Sequence, residues 1–152
     1  MTVYLSLGSN RGDREGHLRS AVADLAASGV RVLSVSPMWE TRPVAATGRR
    51  LYLNCAVSAE TDLPPRLLLR RMRQIERRHG RHGHHHGNPP RTLDMDLIFY
   101  GRTCIRTREL QVPHPRFARR RFVLAPLASI APRLRLPMSP QTSTQLLKRL
   151  RD

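Results

Sequence analysis

Aromatic residues make up only 5% of this 152-residue chain, cysteine occurs twice, and 11 acidic residues face 27 lysines and arginines. Each shortage excludes something. With so few aromatics, and none interleaved with the basic residues, the chain lacks the stacking surface of a single-strand nucleic-acid binder. Cys55 and Cys104 have no metal-ligand spacing and lie in apolar, strand-like surroundings, so both are expected as buried, reduced thiols. No apolar run reaches transmembrane length. The opening Met1-Thr2-Val3-Tyr4-Leu5-Ser6-Leu7-Gly8 lacks the basic flank of a signal peptide, which makes a cytoplasmic protein the expectation. Gly8-Ser9-Asn10-Arg11-Gly12 does not have Walker spacing, so any ATP chemistry belongs to another fold class. There are no internal repeats, and the length predicts one domain spanning residues 1–152.

The net charge of +16 and pI near 11.7 imply an anionic partner, an anionic substrate, or a composition that spends arginine freely. The arginines are spread along the chain, so charge alone leaves nucleotides and nucleic acids both open.

Hydrophobic periodicity supplies the elements. Val3–Leu7 reads as a strand that ends in the turn cluster Gly8–Asp13, with Asp13 a helix cap. Leu18, Val22, Leu25 and Ala26 recur at helical spacing as far as Gly29. Val30–Ser36 and Tyr52–Glu60 alternate as strands. The latter places Tyr52, Asn54, Ala56 and Ser58 on one face and Leu53, Cys55, Val57 and Ala59 on the other. Pro64-Pro65 opens a helix with a stripe of Leu68, Met72, Ile75 and His79, closed by Gly80. A strand at Met95–Tyr100 completes the order βαββαβ, the order of an α+β, ferredoxin-like sandwich with two helices on one face of an antiparallel sheet. A proline-rich region from Pro113, with helical segments near Phe122–Leu127 and Thr144–Leu150, forms an appended C-terminal part.

Chemistry concentrates in Pro90-Arg91-Thr92-Leu93-Asp94-Met95-Asp96. On a strand, Asp94 and Asp96 project side by side, and two adjacent carboxylates call for a cation. Oxygen donors suit Mg²⁺, which binds few protein carboxylates together with substrate phosphates. Two long segments, Trp39–Arg50 and His79–Pro90, read as substrate loops. The second carries His79, His82, His84, His85 and His86 but no rigid metal geometry, so nickel-column binding is expected of it rather than a physiological metal site. Val112-Pro113-His114-Pro115, followed by Arg116, Arg119, Arg120 and Arg121, offers a fixed imidazole and guanidinium groups for phosphate.

Together these residues resemble the 6-hydroxymethyl-7,8-dihydropterin pyrophosphokinase family of folate biosynthesis. The likeness runs through Leu5–Asn10, Tyr52-Leu53-Asn54, Ile75-Glu76, Gly80-Arg81, Pro90–Leu97, Tyr100-Gly101, Val112-Pro113-His114, Arg120 and Phe122–Leu127. It implies transfer of pyrophosphate from ATP to the pterin hydroxymethyl group, with AMP released, by a monomer that needs neither nucleic acid nor membrane. Asp94 and Asp96 would hold two Mg²⁺ ions, and Arg81 and Arg91 would serve catalysis. Thr41, Arg42, Val44, Tyr52, Asn54 and Phe122 would meet the pterin. Glu76, Arg91, Leu97, His114 and Arg120 would meet ATP. The chain departs from the family at Gly83–Pro89, where histidines replace arginines and Asn88 stands where some members have tryptophan. Arg73 replaces a polar residue, and Pro115 stands where an aromatic is frequent. These departures raise the alternative of a catalytically weak paralogue that binds a pterin or nucleotide.

Overall fold

The computed structural model describes residues 1–41, 51–80, 92–135, 137 and 140–150. The main sheet contains β1 (Thr2–Ser9), β2 (Val30–Val35), β3 (Trp39–Thr41), β4 (Tyr52–Thr61) and β5 (Asp94–Tyr100). It runs in the order β2-β4-β1-β5, with β3 added to β4, and every pairing is antiparallel. The helices α1 (Arg14–Ala27) and α2 (Pro65–Arg78) connect these strands as the ferredoxin-like order requires. A small hairpin, β6 (Ile105–Arg106) and β7 (Gln111–Val112), precedes a 3-10 turn at Phe117–Arg119. The helices α3 (Arg121–Ile130) and α4 (Ser143–Arg149) follow. Among the described residues no helix is long and apolar enough to cross a membrane.

Alternation along β1 and β4 divides the apolar residues between two layers. Leu18, Ala21 and Leu25 of α1, with Leu68, Met72 and Ile75 of α2, bury Val3, Leu5, Leu7, Cys55, Val57 and Ala59 on one face. On the opposite face α3 and α4 bring Leu124, Leu127 and Leu146 against Ala56, Ile98 and Phe99. Phe99 meets Phe117 edge to face at 5.0 Å. Asp13 caps α1 as expected, accepting from the Gly16 amide at 3.0 Å. Gly80, just past α2, has φ +94°, a conformation in which a side chain would be strained.

The structure corrects three local expectations and adds one element. Gly8 and Ser9 belong to β1 rather than to the turn, because Asn54 and Leu53 pair with them across the sheet. Trp39–Thr41 is a strand rather than the start of a loop; its three residues are too few to show a period. The β6–β7 hairpin, with two residues in each strand, escapes the sequence for the same reason. Cys104 is exposed, lying past the end of β5, whereas Cys55 is buried.

Candidate active site

Register, more than sequence proximity, assembles the site. Asn54 on β4 stands opposite Gly8 on β1, and Gly8 stands opposite Asp94 on β5. One step along, Ala56 pairs with Ser6 and Ser6 with Asp96. Two cross-sheet rows therefore run from Asn54 and Ala56 to the paired aspartates, with only glycine and serine between. The small central residues leave a low floor. A methyl group on Gly8 would lie 2.8 Å from Asn54 Oδ1 and 3.6 Å from the Tyr52 ring, so a larger residue there would have to displace the amide. Asn54, itself buried, is oriented by its Nδ2 donating to Thr41 Oγ1 at 2.5 Å.

The β1–β5 register slips between Tyr4 and Leu5, leaving Ile98 as an extra residue on β5. The carbonyl of Ile98 accepts from the His114 amide at 3.1 Å, and this bond ties the Val112–Pro115 turn to the strand bearing the aspartates. His114 Nδ1 accepts from the Arg116 amide at 3.2 Å, so a neutral imidazole keeps its proton on Nε2 and presents that atom as a donor. Burial and the charges of Arg120 and Arg116 hold the His114 pKa below its ordinary value, partly opposed by Asp94. Arg120 lies over the Phe122 ring, 5.4 Å from its centre, which joins a guanidinium to an aromatic surface at the start of α3.

Of the two acids, Asp96 carries the perturbed carboxyl. Burial and the neighbouring Asp94 charge, with a smaller push from Glu76, raise the Asp96 carboxyl to about 6 against the pull of Arg73 and Arg120. A divalent cation would reverse that balance, and paired carboxylates are hard oxygen donors suited to Mg²⁺. Among the described residues no three His, Cys, Asp or Glu side chains form a metal cage, so a cation held by the two aspartates would leave room for substrate oxygens or water. That is the ordinary arrangement for Mg²⁺ with a polyphosphate.

Sheet register thus aligns Asp94, Asp96, Asn54, Thr41 and Tyr52, while Arg120 acts electrostatically on Asp96 and Asp94 on His114. Two residues expected at the nucleotide have enclosed side chains. The Leu97 side chain is packed in the core against the helices, leaving only its backbone to meet a ligand. Glu76 is 1% exposed, and both carboxylate oxygens bond to protein groups: Oε1 to Arg73 and Oε2 to the Met95 amide. Arg42, Val44, Arg81, Arg91 and the histidines from His82 to His86 lie outside the described residues. Sequence reasoning passed over Gly8 and Ser6 as site floor and Arg73 as a partner of β5. The spacing of Arg73 and Glu76, three apart on a helix, is the one local signal of that pairing.

Residues 4–132 match the family described as 7,8-dihydro-6-hydroxymethylpterin-pyrophosphokinase (HPPK). The chain is 46% identical over 129 residues to the 2-amino-4-hydroxy-6-hydroxymethyldihydropteridine pyrophosphokinase of Bacillus subtilis, covering 84% of this chain and 77% of that protein. It is 39% identical over 129 residues to the mitochondrial folate synthesis bifunctional protein of Pisum sativum, covering 84% of this chain and 25% of that longer protein. The fold is shared with HPPK-DHPS of Plasmodium falciparum solved with pteroate: TM-score 0.78 and 13% identity, covering 97% of this chain and 42% of that one. This chain therefore spans less than half the length of that protein. It belongs to the 7,8-dihydro-6-hydroxymethylpterin-pyrophosphokinase family.

Proposed function

We propose that this chain is the pyrophosphokinase of folate biosynthesis that moves the β,γ-pyrophosphoryl group of ATP onto the hydroxymethyl oxygen of 6-hydroxymethyl-7,8-dihydropterin, releasing AMP. The observation that carries the reading is the Asp94–Asp96 pair, whose Asp96 carboxyl is raised to about 6 at the end of a floor leading to Asn54. Asp94 and Asp96 would hold two Mg²⁺ ions, which when bound neutralise the triphosphate and favour attack by the hydroxymethyl oxygen.

This chain's own residues do the positioning. Asn54, held by Thr41, offers an amide to the pterin edge; Tyr52 and Phe122 supply aromatic surface; Arg42 and Val44 belong to the same set. His114 donates from Nε2 toward the nucleotide, and Arg120 meets phosphate. Arg81 and Arg91 would balance the charge that develops on the transferred group. No strong base is required, because phosphoryl-type transfer rests on alignment and charge. The reading includes one domain over residues 1–152, working as a cytoplasmic monomer.

A weak paralogue is the second reading, favoured by histidines standing in the Gly83–Pro89 segment where the family has arginine. One experiment separates them. The protein is incubated with ATP, Mg²⁺ and the pterin; AMP is quantified and the pterin diphosphate weighed by mass spectrometry. Matching yields of AMP and product, dependent on both pterin and Mg²⁺, are expected. A folded protein that binds the pterin and makes neither would replace the first reading with the second.

A further inference from the structure

We infer that Arg73 and Glu76 are positioning residues, clamping the Asp94-Met95-Asp96 segment in the form that receives a cation. The inference rests on the cation site proposed above. Among the described residues β5 is the outermost strand on its side of the sheet, with β1 as its neighbour. The outward peptide groups of Met95 find their partners on α2. Glu76 Oε2 accepts from the Met95 amide at 2.8 Å, and Arg73 Nη1 donates to the Met95 carbonyl at 3.1 Å. The same Nη1 donates to Glu76 Oε1 at 2.5 Å and closes the ring. Two side chains one helical turn apart thus bond Met95 as a neighbouring strand would.

Met95 is the residue between the two carboxylates, so its backbone angles decide whether Asp94 and Asp96 project from one face. Its side chain is fully buried in the core that α1 and α2 cover, and its outward peptide groups are held by the ring. Glu76 is equally enclosed, while the Arg73 side chain is 38% exposed. A buried carboxylate bonded to a backbone amide and a guanidinium does not drift.

Charge and geometry predict opposite results when Arg73 is removed. Arg73 is a cation acting on Asp96. If charge were its whole contribution, deleting it would make the aspartate pair more negative and tighten cation binding. If the clamp is its contribution, deleting it frees Met95 and loosens binding.

The test uses the full chain with Mn²⁺ and α,β-methylene-ATP, free Mn²⁺ being read by electron paramagnetic resonance. Arg73→Met is expected to weaken Mn²⁺ binding about tenfold, the size of a lost hydrogen bond to a charged group. It should also speed hydrogen exchange at the Met95 amide. Arg73→Lys, whose ammonium carries three donors on a stem nearly as long, should stay within about threefold of the unmodified protein. Equal or tighter Mn²⁺ binding in Arg73→Met, or a loss in Arg73→Lys as large as in Arg73→Met, overturns the clamp. If the unmodified protein binds no Mn²⁺ with the analogue, the cation site itself falls and takes the clamp with it, an outcome distinct from the other two.

Discussion

Replacing Asp96 with asparagine is expected to stabilise the ligand-free protein at neutral pH while abolishing turnover. In the folded state the Asp96 carboxyl sits at about 6 instead of its ordinary 3.8, because it is buried beside the Asp94 charge. The native state therefore holds this proton more tightly than the unfolded chain does. The stability it contributes is full below about pH 3.8 and is lost as pH rises through about 6. Between those values, at about 1.4 kcal/mol per pH unit, the loss approaches about 3 kcal/mol. Asparagine has nearly the same shape and carries no charge at any pH. With some relaxation of the site allowed for, the variant should gain about 2 kcal/mol at pH 7.5, or about 4–8 °C in Tm for a chain of this size. Thermal and urea unfolding in EDTA, at pH 7.5 and at pH 4, provide the assay. The gain should shrink toward zero at pH 4, where the folded carboxyl is already protonated. Mg²⁺ with an ATP analogue should narrow the gap at pH 7.5 by stabilising the unmodified protein selectively. A variant no more stable than the parent at pH 7.5, or equally stabilised at both pH values, would refute the electrostatic argument.

Gly8→Ala places a methyl group 2.8 Å from Asn54 Oδ1, which must move against its bond to Thr41. Steady-state kinetics should show the KM for the pterin rising about tenfold while the KM for ATP changes less than about twofold; an unchanged pterin KM would remove Asn54 from that role. The two thiols should separate cleanly. Cys55 is fully buried and its thiol is pushed up to about 12, whereas Cys104 is exposed. A disulfide reagent should therefore titrate one thiol in the native protein and two after unfolding, and rapid native reaction of both would contradict the packing around β4.

The sandwich order was legible because its long elements declare themselves. The Leu18–Leu25 and Leu68–Ile75 spacings mark helices, and the alternation of β4 from Tyr52 to Ala59 puts Cys55, Val57 and Ala59 beneath them as expected. What escaped depends on partners distant in sequence. Gly8 and Ser9 look like turn residues until Asn54 and Leu53 pair with them. Trp39–Thr41 is strand only because β4 is long enough to hold it. The common face of Asp94 and Asp96 follows from the two-residue strand repeat and was visible at once. The row that connects them to Asn54 is set by the β4–β1–β5 register, and no local pattern carries it. Glu76 illustrates the same limit. Its spacing from Arg73 was readable, but the edge position of β5, which turns that ion pair into a backbone partner, was not.

Charge distribution gives the last reason to regard the aspartate pair as built for a ligand rather than for the fold. With 27 basic and 11 acidic residues, a cation is available almost everywhere on this molecule. Several acids use one at the surface: Glu15 with Arg19, Glu60 with Arg31 and Glu109 with Arg66. Such exposed pairs contribute little to stability. Glu76 is buried, and it too has its guanidinium, Arg73. Asp96 feels Arg73 and Arg120, yet its carboxyl remains raised because burial and Asp94 outweigh them. In a chain this rich in arginine, a carboxyl left short of positive charge sustains a cost that one nearer guanidinium would have relieved. Such a guanidinium would also fill the position a divalent cation must take. Under the proposed function, the strain that Asp96→Asn should relieve permanently is the strain that Mg²⁺ would relieve on binding, and a cation that comes and goes with the nucleotide would require it to stay.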